Sequence, residues 1–547
     1  MTYTTPPSSQ SDHHTPLRIG LFLDALTVPA WVFQAVADII DSPIANIVLL
    51  VMNDSPPKAR SRNYFLYDLY IKFDQRRFVQ QPDALKSTNL KEIVSDYPAI
   101  HVVPESSNSG NAFLQADVDK IRAYNLDVVI CFGFQQLQGK ILETARHGFW
   151  SNHPTNPQSA HNNPSGFWET MNKEGVMANV MTVHSPEHRH GRIIYRSYAS
   201  ASNLSVSRTN NVSLWKSASI ILLKLKELYE YGSSALEKTY DEMKPRETPG
   251  NLRMLTLYPK IALRLIQKRL ENLDGKEQWQ IAYLLGHEQE SLADTFTQFK
   301  FLKPPIDHFW ADPFVVKKDG KFYIFIEDFV NELNRGILAV IEMDDKGNYQ
   351  DAQPIMQKPY HLSYPFIFEW ENDYYMIPET HENQTIDLYR SVSFPDQWEL
   401  VKTMISGVTA ADATLLELDG KWWMFVTIGK NSLNDDLYIF YADSPLGEWK
   451  PHKLNPVKSD VRSSRPAGHI FKRGDTYYRP AQDCSVRYGY AIVIHKIVQL
   501  DTETYIEEPV SKVLPHGHTG IIGTHTINHT EGISVIDGII VVPNKES

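Results

Sequence analysis

The strongest constraint on the fold of this chain is a repeat that begins near Phe301 and continues almost to the last residue. Each unit has a short strand, a tight polar turn such as KDGK or LDGK, and a second strand rich in aromatic residues. Aligned positions in the five units lie 52, 48, 53 and 60 residues apart, at Asp312, Tyr364, Asp412, Arg465 and His525. Strand repeats at this period are typical of β-propellers, in which each repeat forms one blade. The sequence therefore predicts a five-bladed β-propeller over residues 301–547.

These five aligned residues are the candidate binding residues of the predicted propeller. The first strand of each blade lines the central channel, so we expect Asp312, Tyr364, Asp412, Arg465 and His525 to meet near one mouth, which would suit a sugar or a sugar phosphate. Arg465 and also Arg479, one strand later, are candidate phosphate ligands because a guanidinium binds phosphate in bidentate geometry. In the alternative interpretation, the acidic and basic residues pair with each other and hold the blades together.

Before the repeat, the chain has the pattern of an α/β domain. Short apolar runs at residues 18–24, 46–52, 99–103 and 126–134 alternate with helix-length segments. This alternation predicts a Rossmann-like parallel sheet with helices on both faces. We expect a disordered leader over residues 1–16, the α/β domain over 17–235, and a helical connector over 236–300.

The predicted connector contains a basic amphipathic segment, LRMLTLYPKIALRLIQKRLENL, in which arginines and lysines accompany a Leu/Ile stripe. Such a helix could lie on a membrane surface. Because Pro259 interrupts the segment, an arm that packs between domains is the favoured interpretation.

The composition of the chain limits the possible binding partners and the cellular compartment. The formal net charge of −11 argues against a general affinity for nucleic acid or anionic membranes. Two cysteines, Cys131 and Cys484, cannot form a disulfide framework or a zinc ribbon, and no metal site is expected. The sequence shows no signal-peptide pattern and no apolar run of about 18–20 residues that could span a bilayer, so a cytoplasmic location is expected. Homo-oligomer formation stays open.

Residues 148–197 carry the motifs of a known catalytic fold. His153-Pro154 follows a strand, Pro164 precedes the GFWE helix, and Arg189-His190-Gly191 occupies a turn. Because these three features follow one another in this order, residues 17–235 resemble folate-dependent formyltransferases. In that family an Asn-x-His-Pro motif, a proline loop and an Asp-x-Gly turn occur in the same sequence. With the propeller, the chain resembles a two-domain group of sugar N-acyltransferases from surface-polysaccharide pathways. The propeller also resembles a domain that accompanies some glycosyltransferases acting on inositol phospholipids.

The resemblance implies an N-acyltransferase, in particular an N-acetyltransferase, that moves an acyl group from acyl-CoA to the amine of a nucleotide-linked amino sugar. The product would enter a surface polysaccharide such as lipopolysaccharide O-antigen or capsule. The family's Asn falls on Ser151, with Asn152 adjacent, and its Asp falls on Arg189, so a neighbouring histidine would replace that acid. The residues expected in this site are His153, Asn152 and His188 as catalytic residues and Ser151 and Asn163 as substrate contacts.

Three alternatives stay open. Formyl transfer from N10-formyl-tetrahydrofolate to the same class of sugar would require Asn152 to take the role of the family's Asn. Glycosyl transfer would require a site for a nucleotide-linked sugar donor. A carbohydrate-binding protein without catalysis would bind sugar but not turn it over.

Overall fold

A computed structural model describes residues 15–56, 61–107, 110–134, 137–154, 165–237, 240–241, 246–274, 276–286, 298–429, 432–515 and 520–542. The chain divides into two compact units, Thr2–Leu265 and Ile266–Ser547. We call them the N-terminal unit and the propeller unit.

The N-terminal unit alternates strands and helices along the chain. Its strands are β1 (Leu17–Leu23), β2 (Thr27–Pro29), β3 (Ala45–Asn53), β4 (Ser87–Asn89), β5 (Ala99–Val102), β6 (Glu105–Ser107), β7 (Gly110–Ala112), β8 (Val128–Cys131), β9 (Leu137–Gln138), β10 (Phe149–Pro154), β11 (Val176–His184) and β12 (Arg192–Ser200). Its helices are α1 (Ala30–Ile40), α2 (Phe65–Phe78), α3 (Lys91–Val94), α4 (Gln115–Arg122), α5 (Phe167–Asn172), α6 (Val206–Tyr231) and α7 (Asn251–Asp274), and the boundary between the units falls inside α7. Short 3₁₀ turns occur at Arg62–Tyr64, Gly139–Glu143 and Gly232–Leu236.

Seven of these strands form one sheet in the order β12-β11-β10-β8-β1-β3-β5. The five strands from β10 to β5 run parallel, whereas β11 and β12 are antiparallel to their neighbours. Strand β1, the middle one of the five parallel strands, is almost entirely buried because α1 and α6 pack on one face of the sheet and α4 packs on the other. A parallel sheet covered on both faces is the arrangement that the apolar runs predict.

Helix α6 positions the strands at one side of this sheet. Ser205 begins the helix by accepting a hydrogen bond from the N–H of Arg208 at 3.2 Å, and its hydroxyl donates to the buried Asp74 at 2.9 Å. Such a cap satisfies an N–H that has no partner within the helix. The following turns of α6 pack against β10, β11 and β12.

The propeller unit is built almost entirely from strands. They are β13 (Lys276–Leu285), β14 (Lys300–Leu302), β15 (His308–Lys318), β16 (Lys321–Val330), β17 (Arg335–Met343), β18 (Gln353–Met356), β19 (Ser363–Trp370), β20 (Asp373–Glu379), β21 (Thr385–Ser393), β22 (Gln397–Ser406), β23 (Ala410–Leu418), β24 (Lys421–Ile428), β25 (Asp436–Ala442), β26 (Lys450–Pro451), β27 (Lys458–Ser459), β28 (Phe471–Arg473), β29 (Thr476–Asp483), β30 (Ala491–Leu500), β31 (Tyr505–Val513), β32 (Ile521–Gly523), β33 (Ile527–Thr530) and β34 (Ile533–Val542). A 3₁₀ turn at His381–Asn383 follows β20.

These strands form five blades, which confirms the five-bladed propeller. The first four blades follow chain order, with β15–β18, β19–β22, β23–β27 and β28–β31. The fifth has the order β14-β13-β34-β32, and β33 also pairs with β34.

The fifth blade joins the two ends of the propeller unit. Strand β13 pairs with β34 along its whole length, from Lys276 opposite Val542 to Leu285 opposite Ile533. Pairing of this kind closes the ring of blades and covers edges that would otherwise stay unpaired. Residues 276–285 and Lys300, which lie within the predicted helical connector over 236–300, therefore contribute strands to the propeller.

Candidate functional site

A backbone bulge recurs in the first strand of the first three blades. Asp312, Tyr364 and Asp412 have φ angles of 52°, 44° and 59°, and the pairing with the second strand of the blade shifts at each of these positions. A left-handed conformation costs a residue other than glycine about 1–2 kcal/mol, and such residues cluster at functional sites. The repeated bulge therefore identifies the centre of the propeller as the candidate site.

Asp312 connects three blades through hydrogen bonds. Its carboxyl accepts the N–H of Tyr364 at 3.2 Å and the hydroxyl of Thr526 at 2.6 Å. Its own N–H donates to Asp537 at 3.2 Å, and Asp537 also accepts the N–H groups of His525 and Thr526. These buried contacts join the first, second and fifth blades, in line with the interpretation that the aligned residues hold the blades together.

Arg465 forms the second half of this network. Its Nε donates to Asp412 Oδ2 at 2.6 Å, and its Nη2 lies 3.2 Å from Asp412 Oδ1 and 3.1 Å from Glu379 Oε2. Its Nη1 donates to Asn434 at 3.2 Å, and Gln482 donates to Asp412 at 2.8 Å. Each nitrogen of the buried guanidinium already has a protein partner, so this geometry favours a link between blades over the predicted phosphate contact.

Carboxyl groups outnumber the buried guanidinium at this centre. Burial raises the pKa of Asp412 well above its usual range in spite of Arg465, and burial beside Asp312 does the same for the pKa of Glu327. Burial alone would also raise the pKa of Glu379, but the hydrogen bond with His381 and the charge of Arg465 lower it to about 2. Glu379 therefore carries a negative charge at neutral pH, whereas burial shifts Asp412 toward its protonated form and Arg465 opposes that shift.

Two histidines lie beside these carboxyls with different protonation. His381 Nδ1 lies 2.6 Å from Glu379 Oε1, and this hydrogen bond raises the pKa of the partly exposed His381. His361 Nδ1 accepts the N–H of Gly336 at 2.9 Å, so its proton sits on Nε2, which lies 3.5 Å from Glu327 Oε1. Burial lowers the pKa of His361, so the neutral form is favoured there. His381 is thus the more readily protonated of the pair.

Aromatic rings border the same centre. The Trp279 ring stacks on His525 with centroids 4.0 Å apart, and Tyr488 meets His525 edge-on at 5.3 Å. The Arg465 guanidinium lies 5.1 Å from the centroid of the Tyr488 ring, which is 42% exposed. We call the contiguous set Trp279, Tyr488, Arg465, Glu379 and His381 the mouth cluster.

Sequence reasoning missed four residues of this region: Trp279, His361, His381 and Tyr488. Trp279 lies before the first repeat, and the only signal for it is the strand-like pattern of residues 276–285 together with the need to close the ring. His381 follows two residues after the second strand of its blade, where we sought no site. Tyr488 lies in a loop, and no pattern in the sequence marks it.

One group in the described residues has the geometry to hold a metal ion. The ligand atoms of Asp312, His525 and Asp537 lie within 4.8 Å of one another. His525 Nδ1 is 2.5 Å from Asp537 Oδ2, and its Nε2 is 3.7 Å from Asp312 Oδ1. These contacts and the backbone hydrogen bonds above occupy the same atoms. The sequence predicts no metal, and that statement stays a prediction.

The two remaining propeller candidates, Arg479 and Tyr364, have buried side chains with protein partners. Arg479 is buried and forms a bidentate pair with Glu507, at 2.8 and 2.7 Å, inside the fourth blade. The hydroxyl of Tyr364 lies 2.8 Å from that of Thr414 and accepts the N–H of Gly468 at 2.8 Å, with the side chain fully buried. The structure thus places the five aligned residues in one central network but holds Arg479 in a separate ion pair.

In the N-terminal unit, two of the predicted residues make packing contacts. The buried Ser151 hydroxyl lies 2.8 Å from that of Thr182 in β11. Asn152 donates to the carbonyl of Ser217 in α6 at 2.8 Å, while its Oδ1 is buried without a hydrogen-bond partner. His153 pairs with Val180 through the backbone of β10. The side chain of His153 and all of Asn163 lie outside the described residues, so their expected roles stay predictions.

The strand register places His188 and the backbone of His153 toward opposite ends of β10. Because β10 and β11 are antiparallel, Phe149 pairs with His184 while His153 pairs with Val180. The turn that holds His188 therefore lies at the amino end of β10, and His153 lies four residues away, or about 13 Å along the strand. The expectation that His188 replaces the missing acid stays a prediction, because the side chain of His153 lies outside the described residues.

Residues 303–526 match the family model described as "Glucosamine inositolphosphorylceramide transferase 1, N-terminal". The glucosamine inositolphosphorylceramide transferase 1 of Oryza sativa subsp. japonica is 36% identical over 213 residues, which cover 37% of this chain and 28% of that protein. The Arabidopsis thaliana protein of the same name is 34% identical over 212 residues, which cover 37% and 27%. The chain therefore spans less than a third of these curated relatives.

Two solved structures that resemble this chain have a lower sequence identity to it than the curated relatives do. A family 117 glycoside hydrolase of Zobellia galactanivorans has a TM-score of 0.32 at 12% identity and covers 48% of this chain and 90% of its own. Glycinamide ribonucleotide transformylase 1 from Symbiobacterium toebii has a TM-score of 0.28 at 17% identity, with 41% and 93% covered. At these scores neither likeness bears on function.

The prediction of an acyl-CoA-dependent sugar N-acyltransferase for O-antigen or another surface polysaccharide is wrong. The matched family and both relatives are named as transferases of glucosamine and inositolphosphorylceramide, which agrees with the glycosyltransferase alternative. The expected co-substrates, acyl-CoA and formyl-tetrahydrofolate, and the expected cytoplasmic location stay predictions. In the described part of the chain, no helix is long and apolar enough to cross a membrane.

Proposed function

We propose that this chain takes part in glycosyl transfer from a nucleotide-linked sugar to a lipid with an inositol-phosphate headgroup, and that the mouth cluster binds the polyhydroxylated ring. The observation that carries the proposal is the 36% identity over 213 residues with a transferase named for inositolphosphorylceramide. Four of the five residues of the mouth cluster, all except Trp279, lie inside the matched range 303–526.

The chemistry of the mouth cluster supports binding of a sugar or inositol ring. Specific small-molecule sites combine aromatic surface with a few fixed polar groups. Tyr488 and Trp279 provide the aromatic surface, and the partly exposed His381, held by Glu379 at 2.6 Å, provides a fixed polar group. A ring with several hydroxyls can stack on the aromatic surface and donate to the second ring nitrogen of His381.

His381 is the residue best placed to accept a proton in this site. In glycosyl transfer, the acceptor hydroxyl forms a bond to the sugar and loses its proton, while the nucleotide leaves with the electrons of the broken bond. Glu379 orients His381 from 2.6 Å and leaves the other ring nitrogen to receive that proton. Because the same contact raises the pKa of His381, the rate should rise with pH as the histidine becomes neutral.

The test is a transfer assay with the full chain, a panel of UDP-, GDP- and dTDP-linked sugars, and inositolphosphorylceramide in detergent micelles. We expect a gain of one sugar residue on the lipid by mass spectrometry. Tyr488→Ala should raise KM for the acceptor, and His381→Gln should lower kcat about 10²–10⁴-fold and remove the pH dependence. Tyr349→Ala is the matched control, since Tyr349 is 45% exposed and lies in the turn after β17.

A lipid that gains no mass with any donor would contradict glycosyl transfer by this chain. Carbohydrate binding without turnover is the second candidate, because the shared segment covers only 28% of the relative and does not include the rest of that protein. In that case, calorimetry should still detect binding of inositol phosphate or glucosamine, and Tyr488→Ala but not Tyr349→Ala should abolish it.

For the N-terminal unit we propose a formyltransferase-like fold. Two observations support it: the order of the motifs in residues 148–197, and the position of His153 near the carboxyl end of β10, a strand parallel to β8. An experimental structure of the full chain tests this. A connectivity in which β8, β10 and β11 do not follow the formyltransferase order would contradict the proposal.

A further inference from the structure

Two neighbouring helices of the N-terminal unit expose apolar side chains that the proposed function leaves unexplained. Each of these side chains is more than half exposed: Phe65, Leu69 and Phe73 in α2, and Leu252, Leu255 and Leu263 in α7. The three in α2 follow i, i+4 spacing. At 100° per residue, the three in α7 fall within a sector of about 80°. Each helix therefore carries a continuous apolar stripe on its outer face.

Contacts on the inner faces fix the two helices side by side. On α7, Met254, Leu257 and Ile261 are buried in a cluster that also includes side chains of α2. The hydroxyl of Tyr258 in α7 donates to the carbonyl of Leu66 in α2 at 2.9 Å. The sequence favours an arm that packs between domains for the segment that forms α7. Such packing explains why the inner face of α7 is apolar, but among the described residues nothing covers its outer face.

Basic side chains flank the exposed stripes. Residues 251–270 contain five arginines and lysines and no acidic residue, and Arg253 and Lys260 are exposed beside the leucines. On α2, Lys72 and Arg76 are exposed among the apolar residues. Of the two acids in α2, Asp68 is partly buried, and Asp74 is buried and accepts hydrogen bonds from Ser205 and from the N–H of Ser207.

We propose that this surface, which we define as Phe65, Leu69, Lys72, Phe73, Arg76, Leu252, Arg253, Leu255, Lys260 and Leu263, docks the protein on an anionic membrane. Apolar side chains beside Lys and Arg on a helix are typical of elements that lie in the plane of a membrane interface, where the leucines enter the acyl boundary and the cations meet anionic headgroups. The proposal stands on the helices alone and does not require the proposed function.

The net charge of −11 does not oppose this docking. At physiological ionic strength the Debye length is about 8 Å, so charges on other parts of the surface are largely screened from a membrane that touches α2 and α7. Each lysine or arginine near an anionic surface strengthens binding about fivefold. The attraction to an anionic membrane therefore depends on the local excess of basic residues on α2 and α7 rather than on the net charge of the whole chain.

The experiment is co-sedimentation of the full chain with vesicles of phosphatidylcholine containing about 30% phosphatidylserine, with pure phosphatidylcholine vesicles as a reference. We expect binding to the anionic vesicles that weakens as salt rises. Arg253→Gln with Lys260→Gln should weaken binding about 25-fold. Leu255→Ser with Leu263→Ser should weaken it about tenfold or more, since both leucines leave water on docking.

Matched controls come from the propeller unit. Val392→Ser with Leu400→Ser removes two apolar side chains that are 62% and 53% exposed, against 58% and 59% for Leu255 and Leu263. This control pair should sediment with vesicles like the parent chain. Tyr488→Ala should also bind vesicles normally, because these vesicles contain no sugar and no inositol headgroup. A failed transfer assay and a failed docking assay are therefore distinguishable.

Three outcomes would overturn the proposal. The first is no sedimentation with anionic vesicles at low salt. The second is binding that the leucine and basic variants leave unchanged, since another surface would then be responsible. The third is a dimer in sedimentation equilibrium that Leu255→Ser with Leu263→Ser dissociates while vesicle binding is absent, because a second copy of the chain would then cover this surface.

Discussion

Replacement of Arg465 by methionine tests how the centre of the propeller is held together. The guanidinium contacts Asp412 through two nitrogens, at 2.6 and 3.2 Å, and Glu379 at 3.1 Å, with all three side chains buried. Arg465→Met would leave two neighbouring carboxyls without their positive partner. Removing one member of a buried ion pair costs about 3–5 kcal/mol, because the other member keeps its desolvation penalty.

The size of the defect should depend on pH. Without Arg465, the folded-state pKa of Asp412, already raised by burial, would rise further above its unfolded value. A carboxyl whose folded-state pKa is raised contributes fully to the free energy of unfolding at pH values below its unfolded-state pKa. That contribution is lost as the pH rises through the folded-state pKa. The free energy of unfolding of Arg465→Met should therefore lie closest to that of the parent chain near pH 5 and furthest below it near pH 8.

Urea unfolding followed by pulsed hydrogen exchange and mass spectrometry reads propeller peptides separately from those of the N-terminal unit. We expect the unfolding equilibrium of the peptides from β23 and β24 to shift by about two to three and a half orders of magnitude at pH 8. Arg390→Met is the control, because its pair with Asp373 is 46% and 43% exposed and should be worth less than about 1 kcal/mol. Equal effects of the two variants, or an Arg465→Met defect of the same size at pH 5 and pH 8, would show that Arg465 does not neutralise buried carboxylates at this centre.

Gly468→Ala should lower the free energy of unfolding of the propeller by at least about 3 kcal/mol in the same experiment, since φ is 126° and the new Cβ would lie 2.0 Å from the Ile527 carbonyl oxygen. Gly407→Ala, with φ of 73° and no neighbouring atom within 4 Å, should cost only about 1–2 kcal/mol. Ser205→Ala removes the cap of α6 and should destabilise the N-terminal unit by about 1–2 kcal/mol, measured by thermal unfolding, whereas an unchanged midpoint would argue against the cap. Because Glu379 has a folded-state pKa of about 2, below its unfolded value, its contribution of up to about 3 kcal/mol should be lost as the pH falls from about 5 to 2, and Glu379→Gln should flatten that part of an acid titration followed by circular dichroism.

The function was harder to predict than the fold because the two halves of the sequence point to different chemistries. The acyltransferase prediction rested on the motif order around His153, in the N-terminal unit. The curated relatives instead match the propeller, over 213 residues. Motif order records which strand and turn follow each other, but it does not show which groups meet. In the structure, His188 and His153 lie toward opposite ends of β10, although both belong to the motif-bearing segment.

The number of blades, the positions of the five aligned residues and the parallel sheet before them could all be predicted from the sequence. These properties depend on local patterns, namely alternation along strands, tight turns and apolar runs, which neighbouring residues specify. The residues of the mouth cluster became clear only from the folded chain. Trp279 reaches it because β13 closes the ring from outside the repeat. The charge on Glu379 depends on the nearby His381 and also on Arg465, which lies 86 residues further along the chain. Contacts between distant segments, and the pKa shifts they cause, arise only when the blades close around a buried centre.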